Sequence, residues 1–72
     1  MVIFKFDDLF EKKQNGLKPK MILNCNSVIA EPDWVFKKGD FFGGVNFYEY
    51  ENYDIEGEEL DNIIIIKGFI KK

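Results

Sequence analysis

Four consecutive isoleucines, Ile63–Ile66, constrain this chain more than any other stretch. A strand points successive side chains to opposite faces, so this run puts a β-branched residue on both. A half-exposed surface strand would alternate apolar and polar residues, and Leu60–Ile70 does not. The stretch therefore reads as a strand buried on both faces, central in a small sheet or closed off by a partner.

The 72 residues make one domain, 1–72. A chain of this length buries only about 60 % of its unfolded surface, so its stability needs help. Disulfides do not supply it, because Cys25 is the single cysteine. With no histidine and no second thiol, a zinc site has no ligand set. What remains is eight Phe, three Tyr and one Trp, each able to bury about 150–250 Å², and self-association. Arginine is absent, which removes bidentate readout of phosphate or guanine.

The net charge of −3 is unevenly spread. Residues 1–20 carry five lysines against three acids, whereas residues 49–61 carry seven acids and no lysine. That polarity argues against direct nucleic-acid binding. No apolar run is long enough to span a membrane, and the N-terminus lacks a signal-peptide layout. The expectation is a soluble cytoplasmic protein with a reduced thiol and no cofactor.

Along the chain, Met1–Phe6 reads as a short lead-in strand. Asp7 fits a helix N-cap, with Asn15-Gly16 as the stop, so Asp7–Gln14 is predicted as two helical turns packing Leu9 and Phe10. Pro19 fits the link out of that helix. Lys20–Cys25 and Ser27–Ala30 read as a hairpin turning at residues 24–27, or as one bent strand, Lys20–Glu31. Lys37–Asp40 is a turn in which Gly39 suits a positive φ. Val45–Tyr50 alternates as a strand. Glu51–Glu59 is a loop by composition, turning at Gly57, before the isoleucine strand. The predicted fold class is α+β: a short N-terminal helix plus four to five mostly antiparallel strands in a small curled sheet or barrel.

No catalytic constellation emerges. Cys25 has no histidine to act as its base. The acids of 54–61 lack the spacing of an EF-hand loop, and Gly39, Gly43 and Gly44 match no phosphate-binding fingerprint. A domain this small offers little room for a substrate cleft. The expectation is a non-enzymatic protein with neither catalytic nor metal-binding residues.

The acidic stretch carries the functional signal. Tyr48, Glu49, Tyr50, Glu51, Tyr53, Asp54, Glu56, Glu58, Glu59 and Asp61 combine carboxylates with tyrosines, a mixture suited to docking on a protein. A basic nucleic-acid-binding protein is the partner such charge would fit. The plainer reading is a solvated loop that keeps an apolar protein soluble. A second reading is a homo-oligomeric structural or assembly module built through the Leu60–Ile70 strand, with Ile63, Ile64, Ile65 and Ile66 driving self-association into a homodimer or higher oligomer, because an exposed strand of this kind would aggregate. A third reading is an oligomer that sequesters a small ligand between subunits.

The segments Lys18-Pro19-Lys20-Met21-Ile22-Leu23 and Glu58-Glu59-Leu60-Asp61-Asn62-Ile63-Ile64 resemble the short β-rich accessory proteins of phages infecting low-GC Gram-positive bacteria. The resemblance spans residues 18–66 and rests on composition and style rather than a diagnostic motif. It implies a small protein acting in the host cytoplasm by binding, and thereby modulating or inhibiting, a host macromolecule. It carries over no functional residue.

Overall fold

The computed structural model describes residues 2–71. Met1, which belongs to the expected lead-in strand, and Lys72 lie outside the described residues. The elements run β1 (Val2–Lys5), α1 (Phe6–Leu9), β2 (Phe10–Lys13), β3 (Gly16–Pro19), β4 (Ile22–Cys25), β5 (Val28–Ala30), a 3₁₀ turn (Phe47–Tyr50), β6 (Tyr53–Leu60) and β7 (Ile63–Lys71). Five strands form one sheet in the order β1-β6-β7-β4-β5, and β2 and β3 form a separate hairpin. The fold is thus mostly β with one short helix. The large sheet ends in two edges, β1 and β5, and does not close into a barrel.

The isoleucine run lies in the central strand, as expected of so apolar a segment. β7 pairs antiparallel with β6 and parallel with β4. β1 pairs antiparallel with β6, and β5 with β4. Two-residue turns close both hairpins of the sheet. Asn26 and Ser27 have φ of 52° and 70°, and Asp61 and Asn62 of 50° and 67°. Positive φ at both central positions gives the turn twist that matches paired strands, and Asn and Asp tolerate it best.

Directly opposed residues share a face. On one face Ile64 lies between Glu59 and Leu23, with Ala30 beyond; Ile55 lies between Phe4 and Phe69. Ile55, Ile64, Leu23 and Ala30 are fully buried, and they join Phe6, Leu9, Phe10, Leu17, Phe36, Phe42 and Phe47 in one core. The β2–β3 hairpin, α1 and the aromatic loop cover this face. Phe10 is the hub, its ring 4.7 Å from Phe6 and 5.0 Å from Phe47. The register of β6 and β7 shifts between Glu56 and Gly57, which pair with Gly68 and Ile66. Lys67 is therefore a bulge residue. That single extra residue lets Ile64, Ile66 and Phe69 all face inward although their spacing breaks strict alternation.

Several expectations are corrected. Helix α1 spans only Phe6–Leu9, not Asp7–Gln14. Phe10–Lys13 instead pairs with Gly16–Pro19 across a turn at Gln14 and Asn15. Two isolated helical turns are marginal, so strand pairing with a buried Phe10 prevails. Pro19 sits inside β3 rather than in a link. Val45–Tyr50 is not a strand. Asn46 caps a 3₁₀ turn there, its side chain accepting the Tyr48 N–H at 3.1 Å. The predicted acidic loop Glu51–Glu59 is mostly strand β6, and Gly57 is a buried strand residue rather than a turn. The isoleucines are not buried on both faces: Ile64 and Ile66 are buried, whereas Ile63 and Ile65 are only half-buried, because among the described residues no second layer covers their side. The hairpin at residues 24–27 and the positive φ of Gly39, 96°, are as expected.

Candidate functional site: the outer face of the large sheet

The ten residues singled out in the acidic stretch do not form one surface. Tyr48, Tyr50 and Tyr53 pack on the core side. Tyr48 donates its hydroxyl to the Phe36 carbonyl at 3.3 Å. Tyr50 stacks on Phe69, with centroids 4.1 Å apart, and meets Tyr53 edge-on at 4.9 Å. Glu51 pairs with Lys12 at 2.5 Å, and this bond raises the Lys12 pKa above its ordinary value. Glu49 is exposed beside this cluster. Glu59 falls on the core side of β6 but beyond its cover, and Asp61 occupies the turn.

Asp54, Glu56 and Glu58 go elsewhere. They alternate along β6 and so share its opposite side, the outer face of the sheet. Register extends that face across the other strands. Glu58, Ile65, Asn24 and Ile29 form one row; Leu60, Ile63 and Ile22 form the next. Toward the other end, Ile3, Glu56 and Gly68 form a row, then Lys5, Asp54 and Ile70. The result is a row of carboxylates running beside seven aliphatic side chains. Ile3 is 51 % exposed, Leu60 59 %, Ile29 41 % and Ile70 40 %. A sheet with one wet face normally places polar residues on it; this mixed sheet places isoleucine and leucine there as well.

Ile3, Ile22, Asn24 and Ile29 were not singled out from the sequence, whereas Leu60 and Ile70 belong to the isoleucine-bearing strand named there. The signal that could have found them is the alternation Asp54-x-Glu56-x-Glu58-x-Leu60, followed by a two-residue Asp-Asn turn. Together these mark a hairpin with a mixed acidic and apolar face.

Two shallow concavities lie off the core. One, of about 360 Å³, is walled by Asn24, Asn26, Ser27, Ile65, Ile66 and Lys67. The other, of about 320 Å³, lies among Phe6, Asp7, Phe10, Lys12, Glu51 and Asn52. Both stand at the lower bound of ligand pockets, about 300 Å³. Cys25 is buried, and loss of hydration pushes its thiol above the ordinary 9.0, which keeps it protonated and unreactive at neutral pH. Among the described residues no three His, Cys, Asp or Glu lie close enough to hold a metal ion, and no helix is long and apolar enough to cross a membrane. No family model matches this chain, and neither a curated protein nor a solved structure is significantly similar to it.

Proposed function

We propose that the chain is a non-enzymatic protein-interaction module acting in the cytoplasm, and that its docking surface is the outer face of the large sheet. The observation that supports this reading is the uncovered row of aliphatics flanked by Asp54, Glu56 and Glu58. Exposed apolar patches rimmed by polar groups mark interaction sites. The complementary partner is a protein surface with an apolar centre and lysines or arginines along one side.

The resemblance to phage accessory proteins makes that partner a host protein, and a modulator or inhibitor is the role this reading gives the chain. Carboxylates two residues apart on a strand are spaced by about 6.8 Å. A DNA strand carries a phosphate per about 3.4 Å of axis. The row thus presents about half the linear charge density of one strand, so recognition leans on the aliphatics as much as on the charge.

The test is affinity capture from a bacterial lysate with two baits, the natural protein and Glu56→Lys/Glu58→Lys. Both substitutions lie on the outer face, and circular dichroism checks that the fold persists. A stoichiometric protein held by the natural bait at about 0.1 M salt, released at about 1 M, and missing from the charge-reversed bait supports the reading. The same proteins on both baits, or none on either, overturns it.

A further inference from the structure

We infer that the same outer face, when no foreign protein holds it, is covered by a second copy of this chain in a two-fold symmetric, face-to-face dimer. The inference rests on the docking reading above and names an occupant for that surface.

Edge-to-edge growth of the sheet is not the route. The Lys5 N–H at edge β1 is taken by the Asp8 carboxylate at 3.0 Å, and the chain turns at once into α1. Edge β5 has three residues and runs into Glu31-Pro32. Short edges that end in a helix or a proline resist extension. A second copy therefore meets the first through a face.

Register decides which way round. A two-fold axis perpendicular to the strands lays β6 on β6 and drives Glu56 and Glu58 against like charges. An axis running along β7 exchanges the two sides of that strand and lays β6 of one copy over β4 of the other. In the row of Glu58, Ile65 and Asn24, Ile65 then meets its own copy, and Glu58 comes over Asn24 of the second chain. In the next row Ile63 meets Ile63, and Leu60 meets Ile22. In these two rows carboxylate meets amide and aliphatic meets aliphatic. The Asn24 side-chain oxygen already accepts the Ser27 N–H at 3.1 Å, so its NH₂ is the end left to donate, which is what Glu58 needs. Toward the bulge, Glu56 comes over the concavity that contains exposed Lys67.

The face is large enough. A standard interface buries about 800 Å² per partner, roughly one sixth of the 4709 Å² surface. One broad side of a body measuring 31 × 27 × 20 Å supplies that share. Two inner sheet faces packed this way interdigitate at about 10 Å, as in a β-sandwich. The contact is isologous and so closes at two copies.

The experiment is sedimentation equilibrium on the isolated chain. The expected species is about 17 kDa, twice the 8.5 kDa chain. Ile65→Lys sets two ammonium groups face to face on the axis and should give a folded monomer. Asn24→Asp opposes Glu58 with a second carboxylate and should weaken the dimer by at least about tenfold. Asn24→Asp combined with Glu58→Lys should restore it. A natural chain that stays at 8.5 kDa up to about 1 mM overturns the inference. So does a dimer indifferent to Ile65→Lys, or an Asn24→Asp defect that Glu58→Lys leaves unrelieved. A monomer that still captures a foreign protein removes the dimer and keeps the docking surface; a dimer that captures none does the reverse.

Discussion

Gly57 and Gly68 lie on opposite sides of the β6–β7 bulge and respond oppositely to a methyl group. A Cβ at Gly57 would stand 2.7 Å from the Ile65 carbonyl oxygen and 3.5 Å from Ile64 Cγ2. The nearest obstacle is backbone of the central strand, which cannot swing aside. At Gly68 the closest atom is Glu56 Oε1 at 3.9 Å, the tip of a flexible side chain. Replacing glycine by alanine restricts the unfolded chain and contributes about 0.4–1 kcal/mol of stability where the native backbone accepts it. Forcing an extra methyl into filled space costs about 1–3 kcal/mol. Gly57→Ala should therefore lose about 1–2 kcal/mol, and Gly68→Ala should gain up to about 1 kcal/mol. For a chain of 72 residues total stability is about 4–11 kcal/mol, so the first loss is large. Urea titration followed by far-UV circular dichroism reads both. With a slope near 1 kcal/mol per molar, the Gly57→Ala midpoint should fall by about 1–2 M while that of Gly68→Ala holds or rises. Equal shifts for the two variants, or a rise for Gly57→Ala, would refute the bulge register on which both faces of the sheet depend.

Three further predictions probe the core and the turns. Phe10→Ala removes the hub ring, only 2 % exposed, and should cost about 3–5 kcal/mol; Phe41→Ala, at a site 67 % exposed, should change stability by no more than about 0.5 kcal/mol in the same urea titration. Ser27→Gly relieves a non-glycine residue at φ 70° and yields an Asn-Gly turn, so it should stabilise by about 0.5 kcal/mol, and a loss of stability would count against the turn geometry. Because burial raises the Cys25 thiol pKa, its contribution to stability is fully present below the unfolded value of about 9 and is lost as pH rises through the higher folded value. The stability gap between the natural protein and Cys25→Ala should accordingly narrow above pH 9, and a thiol reagent at pH 8 should label Cys25 only in urea; rapid labelling of the folded protein contradicts its burial.

What the sequence made legible follows from how local each signal is. The isoleucine run announces a central strand because no other environment suits four consecutive β-branched residues. The turn at 24–27 and the glycine at 39 are equally local. The pairing of Phe10–Lys13 with Gly16–Pro19 is harder to read, since Asp7 and Gly16 look like the two ends of a helix. The deciding term is tertiary: pairing of β2 with β3 and burial of Phe10 among Phe6, Phe36 and Phe47. The acidic segment was obscured by composition. Seven acids in thirteen residues suggest a solvated loop, whereas the period-2 order of Asp54, Ile55, Glu56, Gly57 and Glu58 specifies a strand with one charged side. Reading charge before periodicity places the acids and tyrosines on one surface; the pleat separates them.

The separation changes what the carboxylates do. In a loop, their number would matter most. On a strand their position matters more, because they flank one side only of an apolar row. Asn24 and Ile29 stand on the other side, opposite Ile65 and beyond it. A face charged all round would repel every copy of itself, and a face without charge would stack in any orientation or register. One row of acids beside one row of isoleucine excludes the orientation that superposes β6 on β6 and leaves the one that superposes β6 on β4. Under the proposed docking the same asymmetry sets the terms for a foreign protein: its cationic groups would fall along β6 while its apolar groups cover β7 and β4. Moving Glu58 across the face therefore tests more than its charge. Glu58→Asn with Asn24→Glu keeps composition and net charge, and it reverses the side on which one carboxylate stands. Self-association should survive this exchange, because a two-fold axis along β7 pairs the two positions either way. Capture of a foreign protein should fall, because its cations would then meet an amide; equal loss of both, or of neither, would break the argument from position.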